Sequence, residues 1–142
     1  VTESKERRID RYAFTPASVA YSADRRLPES EPFIHTPEEP GVPDGLTVAA
    51  DDSLLSARWG GSRVDHYDSW GRKIGGIPLE ATQPSSCAFG GKRLTSLYIT
   101  SARTGLQPPN TSSSEGDLFV LDGAAAGRQE YVLDESFLVL LE

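Results

Sequence analysis

The chain has 142 residues, 37% apolar and 25% charged, a size and balance that suit one globular domain and leave little room for a second. Its formal net charge of -7 argues against a nucleic-acid partner, because phosphate binding needs clustered Lys and Arg. Cys87 is the single cysteine, which excludes an intrachain disulfide and any multi-cysteine metal centre.

The opening stretch, "VTESKERRIDRYAF", reads as the middle of a strand pair, and the sequence contains no methionine. Both features lead us to expect a fragment whose start is removed or carried elsewhere. Lys5, Arg7, Arg8 and Arg11 alternate with Glu3, Glu6 and Asp10, a mixture expected on a solvated face. No secretory signal opens the chain and no run approaches the ~18 apolar residues of a membrane span. The expectation is a cytoplasmic protein without a membrane partner.

Thr15 to Pro40 is rich in Pro, Ser and Glu, with one irregular outer strand expected near Phe33 to His35. The strand candidates that follow are "GLTVAA", "LLSARW", "RVDHYD", "KIGGIPL", "SCAFGG", "SLYITSA", "DLFVLD" and "EYVLDE". They are short alternating or clustered apolar runs cut by Gly, Pro, Asp and Ser. The "WGGSR" segment places two glycines where a hairpin turn needs positive φ. Trp59 and Trp70 are expected to pack between sheets, the alternative being the wall of a sugar site. Gln107 to Glu115 reads as a mobile polar surface loop, and the terminal "FLVLLE" is too short to assign. Cys87, inside an apolar run, reads as a small buried hydrophobe. His35 and His66 fall in outer-strand patterns and read as surface or packing residues. There is no HExxH, no Gly-rich phosphate loop and no GxSxG elbow.

These units repeat. "PDGLTV" followed by "LLSARWGGSRVDHYD" matches "PSSCAF" followed by "SLYITSARTG" and then "GDLFVLD". The opening "VTESKERRIDRY" matches the second half of the same unit. Ile9, Val64 and Leu118 take equivalent places about 55 residues apart, near the period of propeller blades. The fold class expected is all-β, a partial β-propeller of about two to three blades of four-stranded antiparallel sheet.

The blocks "PDGLTV", "ARWGGSRV", "PSSCAFGG" and "LYITSARTGL", in that order, resemble the C-terminal half of SMP-30/gluconolactonase/LRE-like proteins, the regucalcin relatives. With the opening and "GDLFVLD" they cover most of the chain to about Asp122, and the tail "AAAGRQEYVLDESFLVLLE" departs from the family's usual ending. The resemblance implies a six-bladed propeller of which residues 1–142 form the C-terminal part. It also implies one divalent cation (Ca, Zn, Mg or Mn) in the channel and hydrolysis of a small sugar lactone. The family's metal ligands are an early glutamate, a central asparagine and the aspartate of the PDG motif. Only the last falls here, as Asp44, so the resemblance gives Asp44 both a metal-ligand and a catalytic role. The asparagine is expected upstream of Val1.

Asp44 lies between Pro43 and Gly45, before an apolar run, where it could also be a turn former alone. The matching position in the next unit is Ser85, a poor ligand, as a single off-axis site would show. The isolated chain is expected to be inactive and to need its missing N-terminal half, or another chain, to close the ring. The alternative function is a non-catalytic propeller used as a binding or calcium-responsive scaffold.

Overall fold

The computed structural model describes residues 1–13, 29–106 and 113–130, in which ten β-strands and no helix occur. Among them no helix is long and apolar enough to cross a membrane. The strands are β1 (Thr2–Glu3), β2 (Arg8–Tyr12), β3 (Ser30–His35), β4 (Val42–Val48), β5 (Leu54–Trp59), β6 (Arg63–Tyr67), β7 (Lys73–Pro78), β8 (Pro84–Gly90), β9 (Ser96–Ser101) and β10 (Leu118–Asp122). They form three antiparallel meanders: β1-β2-β3, β4-β5-β6-β7 and β8-β9-β10. This is the all-β partial propeller that the sequence pattern implies. Only the middle blade shows four strands among the described residues.

The repeat is visible in the register. Val64 pairs with Ala57 in the middle sheet, Ile9 with Thr2 in the first, and Leu118 with Thr100 in the third. All three lie on the third strand of their blade, counting β1 as a second strand. Ile9 and Val64 are buried, whereas Leu118 is exposed.

Strand β5 shows why its sequence folds as it does. Successive side chains on a strand point to opposite faces. Leu54 joins Ile9, Ile34 and Tyr67 in a core between the first and second sheets. Leu55 faces the other way, into a core with Ala49, Val64, Cys87, Leu97 and Ile99 between the second and third. Each fully buried Leu or Ile in these layers contributes about 1.5–3 kcal/mol. Burial on both faces explains why the adjacent residues Leu54 and Leu55 are both apolar. Asp10, Ser56, Arg58 and Asp65 are buried among these strands too.

Several local expectations change. Trp59 is half-buried, but Trp70 is 79% exposed at the tip of the β6–β7 turn, so it packs between no sheets. In "WGGSR" the positive φ values fall on Gly60 and Ser62, not on Gly61. Gly61 is needed for space, since a Cβ there would lie 2.4 Å from Arg58 Cγ. Glu115 ends no surface loop: it is 2% exposed, and its carboxylate accepts a hydrogen bond from the Thr82 amide at 2.8 Å. The "EYVLDE" run from its second residue, "FLVLLE" and residues 107–112 lie outside the described residues.

Candidate functional site

Strand β4 carries a β-bulge near its start. Pro43 opposes Arg58 and Leu46 opposes Ser56, which leaves Asp44 and Gly45 together facing Ala57. Asp44 is therefore inside a strand, not in a turn before it. The positive φ next to this bulge belongs to Gly41, not to Gly45. Gly45 serves another purpose. A Cβ on it would come within 2.3 Å of Ser86 Oγ and 2.7 Å of Ser86 Cα, so only glycine lets β8 approach this closely. From the other side, the Thr2 hydroxyl donates to the Asp44 carbonyl at 2.7 Å. The bulge is thus a meeting point of all three sheets.

The Asp44 side chain is half-buried. Loss of water pushes its carboxyl pKa above the ordinary value, and a backbone hydrogen bond from Gly45 offsets this only in part. No Lys, Arg or His among the described residues contributes to its shift. A carboxylate held this way has unused acceptor capacity.

The third sheet repeats the bulge without the charge. Pro84 opposes Ser101 and Ser86 opposes Thr100, with Ser85 as the extra residue, equivalent to Asp44. Its hydroxyl is 2.9 Å from Thr100 Oγ1. The asymmetry seen in sequence is therefore one between matched backbone positions.

The segment feeding β4 is fastened by two arginines. Arg7, expected on a solvated face, is half-buried and donates to the carbonyls of Thr36, Glu39 and Gly41. Arg58, 1% exposed, donates to Thr36 Oγ1 at 2.8 Å and to the Pro40 carbonyl at 3.3 Å. Around Arg58 lies a charge network the sequence reading missed. Asp65 binds Arg63 at 2.6 Å and Lys73 at 2.9 Å, and Glu39 binds both of those cations at 2.5 Å. Burial pushes both carboxyls up. Hydrogen bonds from Lys73, joined at Asp65 by Arg63, and the neighbouring positive charges outweigh it and hold both below the usual range. A signal was available. Arg8–Asp10 and Arg63–Asp65 are the same i, i+2 pair on equivalent strands, at 2.8 and 2.6 Å.

Other candidates fall away. His35 is exposed, and His66 Nε2 lies 3.0 Å from Ser53 Oγ. Cys87 is buried, its thiol pushed up to about 12 by burial, and its Sγ–H donates to the Leu55 carbonyl. Trp70 is at the opposite end of the blade from Asp44: β4 begins beside the Gly60–Ser62 hairpin, and Trp70 follows β6 at the other end. Among the described residues no three His, Cys, Asp or Glu side chains are grouped so as to hold a metal ion.

A family model described as the SMP-30/Gluconolactonase/LRE-like region matches residues 1–103, most of the chain. The chain belongs to this family. Among its relatives, pentonolactonase XacC of Haloferax volcanii is 39% identical over 139 residues, covering 94% of this chain and 46% of the relative. That alignment runs well past residue 103. Regucalcin of Oryctolagus cuniculus is 29% identical and covers 75% of this chain and 39% of the relative. A solved structure of a calcium-binding protein, regucalcin, from Agrobacterium tumefaciens superposes with a TM-score of 0.74 at 28% identity, over 89% of this chain and 42% of that one. A luciferin-regenerating enzyme superposes with a TM-score of 0.73 at 26% identity, over 88% of this chain and 41% of that one. The chain thus spans less than half the length of these relatives.

Proposed function

We propose that residues 1–142 are the C-terminal part of a single six-bladed propeller that hydrolyses a sugar lactone, with Asp44 holding one divalent cation. The observation that carries this reading is the half-buried Asp44 carboxylate, without a cationic partner among the described residues, on a bulge where three sheets meet. Lactonase activity is the named property of the Haloferax relative, and calcium binding that of the Agrobacterium structure.

The donor chemistry fits. A carboxylate is a hard, anionic oxygen ligand suited to Ca, Mg or Mn, and Zn accepts it as well. Asp44 supplies one such ligand, and the others would come from outside the described residues. When bound, the cation would polarise the lactone carbonyl and acidify a water. Asp44 has two tasks here. Asp44 would help to hold the ion and would accept the proton of the attacking water. The water oxygen would bond to the carbonyl carbon as the lactone C–O bond breaks, the ring oxygen would take the proton held by Asp44, and a hydroxy acid would leave.

The remaining blades would come from an upstream half or from another chain. Two features support an incomplete ring: the chain's share of its relatives' length, and the exposed Leu118, Val120 and Leu121 on β10. The test is proton release from gluconolactone and pentonolactones by the complete propeller, with chelation and cation add-back. Hydrolysis abolished by chelator and restored by a divalent cation is expected, with none from residues 1–142 alone. Absence of hydrolysis by the metal-loaded complete protein would refute the reading and favour a binding scaffold.

A further inference from the structure

Arg58 is a costly residue to bury, and its surroundings suggest what it is for. Its guanidinium spans three partners: the Thr36 hydroxyl and Pro40 carbonyl in the run-in to β4, and Asp65 on β6 at 3.4 Å. Its Nη2 is buried, makes no hydrogen bond and faces Glu39 Oε2 at 3.6 Å. The run-in is held from its other side by Arg7. Across the sheet, Arg58 pairs with Pro43, the residue directly before the bulge.

Stability alone does not explain this arrangement. Buried ion pairs can often be replaced by packed apolar groups without loss. The neighbouring blade lacks the pair altogether. Its residue equivalent to Arg58 is Ser101, opposite Pro84, and its residue equivalent to Asp65 is Phe119. That blade carries Ser85 on its bulge and closes without the charges. The blade with an aspartate at the bulge is the one with the buried guanidinium.

We infer that Arg58 is a positioning residue for Asp44: by clasping Thr36 and Pro40 it fixes the path of residues 36–43 and so the direction in which the bulge presents its carboxylate. The inference rests on the proposed role of Asp44 for its functional meaning, but its structural content can be tested without metal. A bulge leaves a residue unpaired in the ladder, so its orientation depends on what anchors the strand around it. A planar fork with several donors can hold a hydroxyl and a carbonyl at once, which a single ammonium does less well.

The experiment uses the complete propeller with Arg58→Met, which keeps bulk and leaves Asp65 and Glu39 still paired with Arg63 and Lys73. Thr36→Val is a milder second variant that removes only the hydroxyl. Amide hydrogen exchange is read by mass spectrometry in the peptide covering 36–48, without metal, beside melting temperature and Ca²⁺ affinity. We expect exchange in that peptide to rise roughly tenfold or more in Arg58→Met and less in Thr36→Val. Peptides covering 84–101 should stay unchanged, and Ca²⁺ affinity should fall in the same order. Faster local exchange in a protein whose wild type binds no cation would support the positioning of the bulge and sink the metal reading of Asp44. Unchanged exchange at 36–48 in both variants would overturn the inference. So would a uniform rise across all peptides with a lowered melting temperature in Thr36→Val, which would mark a general structural role.

Discussion

A methyl group on Gly45 would stand 2.3 Å from Ser86 Oγ, 2.5 Å from its Cβ and 2.7 Å from its Cα. The backbone itself would tolerate alanine, because Gly45 is not among the residues with positive φ. Two terms therefore compete in Gly45→Ala. Reduced freedom of the unfolded chain favours the variant by about 0.4–1 kcal/mol. Overpacking opposes it by about 1–3 kcal/mol, and here one clashing atom is a backbone Cα that cannot rotate away. The second term wins, for a net loss of about 1–2 kcal/mol. In a domain of 150–250 residues that is a fall of roughly 2–8 °C in melting temperature, and a smaller one in a longer chain. The partner substitution Ser86→Gly removes two of the three clashing atoms, so the double variant should recover part of the loss. Thermal melts of the wild type, both single variants and the double variant of the complete propeller measure this as a coupling between β4 and β8. Gly45→Ala melting at or above wild type, or effects that simply add, would refute the close approach of these strands.

Cys87 should resist alkylation in the native state, since a thiol pushed up to about 12 leaves on the order of one part in 10⁴–10⁵ as thiolate near neutral pH. Rapid labelling by iodoacetamide without denaturant would contradict this. Trp70→Ala should change stability by no more than about 0.5 kcal/mol and leave hydrolysis intact, as expected of an exposed side chain at the far end of the blade. A large drop in either would show a partner for Trp70. Titration gives opposite signs at two carboxylates. The depressed pKa of Asp65 means that its contribution is present above the unfolded value and lost as pH falls through the folded one. Asp44 is raised, so its charge costs stability above its folded pKa, and the cost disappears as pH falls below the unfolded value. Metal-free Asp44→Asn should therefore melt slightly higher than wild type at about pH 7 and equally at about pH 3. Lower melting at neutral pH would point to Asp44 as a residue that stabilises the bulge itself.

Much of the fold was legible because strand and blade periodicities are written in local residue types. "LLSARW" is β5 to the residue, and Ile9, Val64 and Leu118 take equivalent ladder positions. The PDG block pointed to Asp44, and the repeat pointed to Ser85 as its neutral counterpart. What stayed hidden depended on contacts between distant segments. Nothing local in "PDG" tells that its glycine answers to Ser86, 41 positions on, and not to a turn. Nor does the mixed charge around Arg7 show that its guanidinium closes on carbonyls at 36, 39 and 41. Trp70 misled because aromatic residues are usually buried, whereas here the turn fixed by Asp68 holds the ring outward.

The central claim concerns Asp44, and hydrolysis by Asp44→Asn in the complete propeller tests it most directly. The substitution keeps size and backbone conformation and removes one formal charge and one proton acceptor. At saturating divalent cation, lactone hydrolysis should fall by about 10²-fold or more while the fold, checked by circular dichroism and melting, is kept. Full lactonase activity in that variant, at the same cation concentration, would contradict the role assigned to Asp44.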